Sequence, residues 1–393
     1  MKILLVNSVC GVGSTGKICV DLANTAKSFG HECVIAYGRG DSRGWSNVYK
    51  ITNGIGNKLH YIKSRVFDKH GLGNVPETKR FIKFIKSYDP DIIHLHNIHG
   101  YFLNYKILFN YLKTTRAKIV WTMHDMWPIT GHCAYAFDCN KWEKQCKKCE
   151  YLNDYPKALF DNSFKNYKFK QESFTRPDRM EIITPSEWLT NLFKRSSLNK
   201  YKINTINNGI DLKVFKFQNS DWKTRQGLRQ FRLVLGVASV WDRRKGLNDI
   251  ITLSNMLEDD VRIVLVGLTK KQISKLPPNI IGIERTQNQQ ELSEIYSSAE
   301  LFINLTYADN FPTVNIESLA SGTPVLTYKT GGSPESITNK TGFVVEQGDV
   351  EKVAEIVNAF KKTEQTIQDC VEQSKKYNKN DKFKDYIRLY EGN

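Results

Sequence analysis

Short apolar runs alternate with longer amphipathic stretches along the whole chain, which predicts parallel β-sheets flanked by helices. In the first half, strands are predicted at residues 2–7, 32–37, 91–95, 118–123 and 181–184. Helices are predicted between them at residues 17–29, 77–88, 104–114 and 186–196. A second series of strands is predicted at residues 232–238, 261–266, 279–283, 300–304, 324–327 and 342–345.

The two strand series are separated by residues 207–222, which contain Asn-Asn-Gly and few periodic apolar positions. We therefore expect an α/β chain with two Rossmann-like, doubly wound domains, at residues 1–206 and 207–370. Ligands of such domains bind at the carboxyl ends of the strands, so a cleft between the domains is the expected site. The tail at residues 371–393 has a helical pattern and no strand of its own.

Composition and charge narrow the class of protein. The 393 residues are 40% hydrophobic and 25% charged, which is typical of a folded globular chain. No run approaches the roughly 18 apolar residues of a membrane span. The apolar part of the N-terminal segment is too short for a signal peptide, so a cytoplasmic protein is expected.

The net charge of +16 is concentrated in the first half, where residues 1–200 hold 31 Lys and Arg against 17 Asp and Glu. Such a basic half would be attracted to an anionic membrane surface. Nucleic acid would attract the same charge, and a general preference for Lys on solvated surfaces would also produce it.

Two carboxylates, Asp309 and Glu317, lie eight residues apart on either side of a predicted helix start at Pro312. The free amides of the first helical turn, near Thr313 and Val314, suit a phosphate group. Carboxylates suit sugar hydroxyls. Together they favour a site for a nucleotide-sugar.

Three cations, Arg243, Arg244 and Lys245, follow the predicted strand at 232–238 and precede Gly246. Arg binds phosphate oxygens in pairs and Lys binds them as a compact charge, so this turn is expected to hold a diphosphate. Such cations act most strongly when negative charge develops on a leaving diphosphate. Which of the two arginines contacts phosphate stays open.

Half of the eight cysteines fall in a short insertion at residues 130–152, with the spacing C-x5-C-x6-C-x2-C. In a reducing compartment such a group favours metal over a disulfide. Four thiolates satisfy tetrahedral zinc, although only the last pair has zinc-finger spacing. The candidate ligands of this structural zinc are Cys133, Cys139, Cys146 and Cys149.

Several motifs resemble those of one enzyme family. The pair Asp309 and Glu317 resembles the acid-x7-acid signature of retaining glycosyltransferases of family 4, in which both acids are usually Glu. The Lys245-Gly246 step resembles a second element of that family. The string His-Asp-Met-Trp-Pro-Ile-Thr-Gly-His-Cys, which starts at His124, is similar to a subgroup that builds colanic acid and capsules.

This resemblance implies the GT-B fold, with a C-terminal helix that crosses back to the first domain. It implies retaining sugar transfer by front-side attack, with no protein nucleophile and no catalytic metal. The implied donor is a nucleotide-sugar, with UDP-sugar favoured over GDP-sugar. The implied acceptor is a lipid-linked saccharide, used by an enzyme held peripherally on the inner face of the plasma membrane.

The resemblance also implies roles for particular residues. The implied catalytic residues are His124, Arg244, Lys245 and Asp309. The implied nucleotide-sugar site comprises Gly13, Arg243, Arg244, Lys245, Asp309, Asn310, Phe311, Thr313, Val314 and Glu317. Expected acceptor-binding residues are His96, Asn97 and Asp125.

Two other functions fit parts of the sequence. A nucleotide-sugar epimerase or phosphorylase would share the architecture. A basic nucleic-acid-binding protein with a zinc knuckle would explain the charge and the cysteines, but it would leave Asp309 and Glu317 without a role. We therefore expect no nucleic-acid partner.

Overall fold

The computed structural model describes residues 1–392, which form two compact units. The first unit comprises Met1–Ile206 together with the chain from Phe383 onward, and the second comprises Asn207–Lys382. Each unit contains one parallel β-sheet covered by helices on both faces.

The first unit is built on seven strands. They are β1 (Lys2–Val9), β2 (Glu32–Arg39), β3 (Val48–Lys50), β4 (Ile92–Leu95), β5 (Lys118–Thr122), β6 (Met180–Thr184) and β7 (Lys202–Thr205). Its helices are α1 (Gly13–Ser28), α2 (Gly54–Phe67), α3 (Val75–Tyr88), α4 (Tyr105–Leu112), α5 (Lys141–Lys144), α6 (Ser163–Phe174) and α7 (Glu187–Lys194).

These strands pair in the order β3-β2-β1-β4-β5-β6-β7. The central strand β1 is apolar on both faces, with residues 3–6 fully buried, because helices cover the sheet on each side. The strand order reverses between β1 and β4, so the loops that follow these two strands diverge to opposite sides. Such a switch point opens a crevice at the carboxyl edge of the sheet.

The second unit contains six strands. They are β8 (Arg232–Val237), β9 (Val261–Val266), β10 (Ile280–Ile283), β11 (Leu301–Asn304), β12 (Val325–Tyr328) and β13 (Gly342–Val345). Its helices are α8 (Trp222–Arg225), α9 (Leu247–Ser254), α10 (Lys270–Ile273), α11 (Gln289–Ser298), α12 (Thr313–Ala320), α13 (Val350–Ala359) and α14 (Glu364–Ser374). The strand order is β10-β9-β8-β11-β12-β13, which places the switch point between β8 and β11.

The last helix, α15 (Lys379–Glu391), begins in the second unit and returns the chain to the first. Its buried side chains Phe383, Tyr386 and Tyr390 join the apolar cluster on one face of the first sheet. Tyr390 also makes a 2.5 Å hydrogen bond through its hydroxyl to Nδ1 of the buried His94. The predicted return of the C-terminal helix is confirmed.

All eleven strands predicted from the apolar runs are present, and their ends differ from the prediction by at most two residues. The prediction missed β3, β7 and α2. The two strands lie at the edges of the sheet, and β7 contains no fully buried residue, so neither carries a strong apolar run. In α2 the apolar side chains face away from the sheet. Among residues 1–392, no helix is both long enough and apolar enough to cross a bilayer.

Candidate functional site

The switch point of the second sheet brings together the loops that follow β8 and β11. Residues 243–245 form a 3-10 turn that ends at Gly246, whose φ of +68° is in the left-handed region. A Cβ at Gly246 would lie 2.0 Å from the carbonyl oxygen of Leu305, at the end of β11. Glycine therefore lets the cationic turn lie directly against the neighbouring loop.

This close approach pairs Lys245 with Asp309. The Lys245 Nζ lies 2.6 Å from Oδ2 of Asp309, and both side chains are largely buried. The nearer guanidinium nitrogen of Arg244 lies 3.7 Å from the same oxygen and donates a 2.9 Å hydrogen bond to the carbonyl of Ala308. Arg243 is exposed on the outside of the turn. Arg244 and Lys245 thus share one carboxylate.

The charge state of Asp309 follows from these neighbours. Burial, the largest single effect, acts to raise its pKa, and the positive charges of Lys245 and Arg244 act in the opposite direction. Hydrogen bonds from Lys245 and the Asn310 amide add to them, so the pKa of Asp309 lies below its usual value. Asp309 is therefore ionised at neutral pH.

The loop after β12 holds Asp309 from the other side. Gly331 has φ +55°, and a Cβ there would lie 2.0 Å from the carbonyl oxygen of Asp309. The next amide, that of Gly332, donates a 3.2 Å hydrogen bond to the same oxygen. The Gly-Gly pair thus fixes the backbone of the acid.

A buried polar network joins helix α12 to β11, to β12 and to the loop after β12. Asn315 accepts a 2.8 Å hydrogen bond from Asn304 of β11 and donates to the Ser333 carbonyl at 3.0 Å. The Ser333 hydroxyl in turn bonds Thr327 of β12 at 2.8 Å. Because fully satisfied buried networks specify one arrangement, these side chains set the position of the first turn of α12.

The amino terminus of α12 suits an anion. It starts after Pro312, which offers no side-chain cap to the first-turn amides, and Thr313 and Val314 are only half-buried. Uncapped amides at the positive end of a helix attract phosphate. The side chain of Phe311 packs in the core against Tyr377, with ring centroids 5.6 Å apart. Phe311 therefore has only its backbone available for a ligand.

Glu317, in the second turn of α12, is partly exposed and accepts a 3.3 Å hydrogen bond from the hydroxyl of Tyr296. Burial, followed by the charge of Glu317, raises the pKa of Tyr296 well above its usual value. Tyr296 thus stays protonated and orients the Glu317 carboxylate, which is a suitable acceptor for two neighbouring sugar hydroxyls.

In the first unit, a small pocket opens at the carboxyl ends of β4 and β5. Its lining residues are His96, Asn97, Ile98, His99, Trp121, Thr122, Met123, His124, Asp125, Trp127 and Pro128. The pocket is therefore lined by all four residues of the first unit that were predicted to lie near the reacting sugar or the acceptor: His96, Asn97, His124 and Asp125.

Two histidines meet in this pocket. Nδ1 of His96 lies 3.0 Å from Nε2 of His124, and the backbone amide of Asn97 donates to the buried Asn7 of β1. Burial, together with the neighbouring His99, lowers the pKa of His124 to about 4 despite the opposing charge of Asp125. His124 is thus a neutral imidazole at physiological pH and suits hydrogen bonding more than proton donation as an acid.

Asp125 is bound within its own unit. One oxygen lies 2.8 Å from Nε2 of His99, and the other accepts a 2.9 Å hydrogen bond from the Trp127 amide. Burial, the largest single effect, acts to raise the pKa of Asp125, but His99, the Trp127 amide and His124 together lower it below its usual value. Its geometry is that of a residue that braces the pocket wall.

Gly13 is the first residue of α1, at the carboxyl end of β1, with φ +64° and open space around the position of a Cβ. Gly13 lies within a turn that is closed by a hydrogen bond of 3.0 Å from the Gly11 amide to the Gly16 carbonyl. It lies on the same edge of the sheet as the pocket residues.

The four clustered cysteines are free thiols, of which Cys133 and Cys146 are buried. Cys133 and Cys149 share a hydrogen bond, and this bond is the main reason that the pKa of Cys149 falls to about 7. Within residues 1–392, however, no three His, Cys, Asp or Glu side chains are arranged as metal ligands. The thiols are neighbours without forming a preset metal cage.

Several buried polar contacts were absent from the prediction. His132 and Asp68 pair at 2.6 Å across 64 positions, and Lys170 donates to the carbonyls of Trp127 and Thr130 at 2.6 and 3.0 Å. Burial lowers the pKa of Lys170 to about 7. These contacts stabilise the loop that follows His124. The sequence contains no local signal for them, since each joins distant segments.

Two family models match the chain. Residues 15–214 match Glycosyltransferase Family 4, and residues 219–377 match Glycosyl transferases group 1. The chain is 23% identical over 374 residues to an Escherichia coli (strain K12) protein named as a colanic acid biosynthesis glycosyl transferase, with 91% of this chain and 90% of that one covered. It is 25% identical over 194 residues to a Staphylococcus aureus capsular polysaccharide biosynthesis glycosyltransferase, covering 44% and 50%.

Solved structures share the fold. Sucrose-phosphate synthase from Thermosynechococcus elongatus superposes with a TM-score of 0.75 at 16% identity, covering 100% of this chain and 98% of that one. HepE from Anabaena, in complex with UDP-glucose, superposes with a TM-score of 0.72 at 15% identity over the full length of both chains. With the family models, this places the chain in glycosyltransferase family 4, as a retaining glycosyltransferase with the GT-B fold.

Proposed function

We propose that the enzyme transfers a sugar from a UDP-sugar to a lipid-linked saccharide during the synthesis of a cell-surface polysaccharide. The main observation in favour of a nucleotide-sugar donor is the Lys245–Asp309 pair beside the uncapped start of α12. It joins cations, a carboxylate and free amides at the switch point of one sheet, where a nucleotide-sugar would meet all three.

Roles follow from the chemistry of each group. Lys245 and Arg244 bind the diphosphate, and the amides of Thr313 and Val314 contact its oxygens. Glu317 binds the ribose hydroxyls, while Asp309 and the backbone at Asn310 and Phe311 orient the transferred sugar. Arg243, which is exposed beside them, and Gly13 complete the proposed donor contacts.

Catalysis in this proposal is electrostatic. As the bond between sugar and phosphate breaks, negative charge grows on the diphosphate, and the cations of Arg244 and Lys245 stabilise it. The leaving diphosphate accepts the proton of the acceptor hydroxyl, so no protein carboxylate is needed as a nucleophile. His124, neutral because burial lowers its pKa to about 4, hydrogen-bonds the sugar.

The acceptor is proposed to bind at the pocket of the first unit. His96 is nearly fully buried there, and its Nε2 has no hydrogen-bond partner among the described residues. An unsatisfied nitrogen at a pocket wall favours a ligand hydroxyl, and Asn97 lies beside it. Asp125, whose oxygens are occupied by His99 and Trp127, would act by positioning this wall.

The names of two relatives, for colanic acid and capsular polysaccharide, support a polysaccharide product. The HepE complexes with UDP and UDP-glucose support uridine as the base. A peripheral position on the inner face of the plasma membrane would bring the enzyme to a lipid-linked acceptor. We also propose that the four clustered cysteines bind a structural zinc ion.

A thermal-shift series with UDP, GDP, ADP and their sugars tests the donor, since a ligand of the native state raises the melting temperature. We expect UDP compounds to give the largest shift. A larger shift with GDP or ADP would contradict the uridine assignment. Formation of a free epimer, or turnover that requires inorganic phosphate, would contradict the transfer reaction itself.

A further inference from the structure

Helix α2 exposes its apolar residues and buries polar ones, which is the reverse of an ordinary surface helix. Its apolar residues Ile55, Leu59 and Ile62 are 71%, 57% and 54% exposed, whereas the polar His60 and Ser64 are its buried residues. His60 is fixed inside, because its Nε2 accepts hydrogen bonds of 3.1 Å from the amides of Gly71 and Gly73. The apolar side is therefore held outward by contacts made on the opposite side.

The exposed residues form one continuous stripe. Positions 55, 59 and 62 follow the i, i+4, i+7 spacing of a single helix face. Cations border the stripe on both sides at this spacing, with Lys58 and Arg65 along one edge and Lys63 along the other. A polar border around an apolar stripe is typical of helices that lie in a membrane interface.

A second segment extends this surface. The amides of Leu159 and Phe160 donate hydrogen bonds of 2.9 and 3.1 Å to the carbonyls of Arg65 and Val66. The rings of Phe160 and Phe67 stack with centroids 6.3 Å apart. Leu159 and Phe160 are 66% and 61% exposed, so their side chains continue the apolar stripe beyond the end of the helix.

The charge of the surface is almost entirely positive. Residues 54–70 and 155–170 contain only two acids, of which Asp68 is buried against His132 and Asp161 is exposed. The cations that these segments leave wholly or partly exposed are Lys58, Lys63, Arg65, Lys69, Lys157, Lys165 and Lys168. A partner must therefore offer negative charge around an apolar interior.

We propose that this α2 surface, formed by Ile55, Leu59, Ile62, Phe67, Leu159, Phe160 and their bordering cations, docks on an anionic phospholipid bilayer. Lipid headgroups would neutralise the cations while acyl chains receive the aliphatic and aromatic side chains. A second copy of this chain is a poor occupant, because a two-fold contact would oppose cation to cation. Nucleic acid would leave the aliphatic stripe unburied.

The docking surface lies outside the residues assigned to sugar transfer. It agrees with the proposed lipid-linked acceptor but does not depend on it, since vesicle binding requires neither donor nor turnover. Each basic residue close to an anionic surface strengthens binding roughly fivefold, so removing three should weaken it about 100-fold.

The test is flotation of the full-length protein with vesicles. We expect binding to phosphatidylcholine vesicles that contain about one third phosphatidylglycerol, and little binding to pure phosphatidylcholine. The variant Ile55→Ser/Leu59→Ser/Ile62→Ser should lose binding at least about tenfold. Its control, Phe29→Ser/Met256→Ser, changes exposed apolar residues elsewhere and should bind normally.

The charge contribution has its own pair of variants. Lys58→Gln/Lys63→Gln/Lys69→Gln should bind anionic vesicles about 100-fold more weakly. The control Lys113→Gln/Lys270→Gln/Lys271→Gln removes the same charge from other exposed positions and should change binding much less.

Four outcomes would overturn the assignment. They are equal binding to neutral and anionic vesicles, no binding to either, retained binding by the triple serine variant, and a wild-type dimer that this variant converts to monomer. The UDP thermal shift separates this result from the proposed function. A variant that loses vesicle binding but keeps that shift has lost only the docking surface.

Discussion

Lys245 and Asp309 lie 64 positions apart in sequence, yet Nζ of the lysine is 2.6 Å from Oδ2 of the acid. The pair forms because the loops after β8 and β11 emerge side by side at the switch point of the second sheet. The carboxylate holds the ammonium in place before any donor arrives. A preorganised cation needs no rearrangement when charge develops on a leaving diphosphate.

Replacing Lys245 with Ala should therefore lower kcat about 100-fold or more, the scale for losing one preorganised charge contact. The measurement is sugar transfer at saturating donor. Lys329→Ala is a suitable control, because Lys329 forms a 3.0 Å ion pair with Glu346 on the surface of the same unit. Turnover by the Lys245 variant close to that of the control would remove the proposed role.

Gly331→Ala should disrupt the donor site, because the new Cβ would lie 2.0 Å from the carbonyl oxygen of Asp309. We expect loss of the UDP-dependent rise in melting temperature. Gly227→Ala separates this clash from backbone strain, since Gly227 has φ +69° but open space around it. That control should lose about 1–2 kcal/mol of stability and keep the UDP response. Equal UDP responses in the two variants would contradict the prediction.

Stability should decrease between pH 6.5 and pH 4. Burial lowers the pKa of His60 and His124 to about 4 and that of His94 to about 3, below the unfolded value near 6.5. In this window the unfolded chain binds protons that the native protein does not. Each histidine then removes up to about 1.4 kcal/mol of stability per pH unit.

Urea unfolding at pH 7 and pH 5 measures this effect. Below pH 4 the ion-paired carboxylates titrate as well, so the comparison is confined to the higher window. A free energy of unfolding that stays constant between these two pH values would show that the three imidazoles are accessible to protons in the native state.

Tyr390→Phe should destabilise the attachment of α15. The substitution removes the hydroxyl that bonds Nδ1 of His94 at 2.5 Å and leaves that nitrogen buried. Leaving one buried polar atom unsatisfied costs about 1–3 kcal/mol, which a urea midpoint resolves. Tyr61→Phe, at an exposed tyrosine, is the matched control. An unchanged midpoint for the Tyr390 variant would mean that the hydrogen bond contributes little.

Zinc content tests the cysteine cluster. We expect close to one zinc per chain in purified protein, and loss of that metal when Cys133 and Cys149 are both replaced with Ser. Cys370→Ser, a buried thiol of the second unit, should leave the metal content unchanged. Zinc well below one per chain in the wild type would count against the site, and the four thiols would then be structural side chains only.

The strand positions could be predicted from sequence because strands buried on both faces must be apolar throughout, and this composition is visible locally. Functional residues that lie close together in one segment could also be predicted from sequence. Asp309, Thr313 and Glu317 lie within one loop and one helix, so their mutual placement depends on helix geometry alone. The cationic turn at 243–245 followed for the same reason.

The partners of these groups were decided only by the tertiary structure. Strand order brings Lys245 to Asp309, and it also brings His99 to Asp125 and Asp68 to His132. Local patterns do not specify which loops meet, because that depends on how the sheet is wound.

Helix α2 shows the same limit. The prediction missed this helix although its apolar residues have helical spacing, and only the packing of His60 and Ser64 against the first unit turns the apolar face toward solvent. The sequence by itself thus determined the buried strands and the kinds of chemistry that single segments carry. The three-dimensional arrangement determined which side chains are neutralised, which are buried and which are left to meet a partner, because burial and pairing are properties of distant segments brought together.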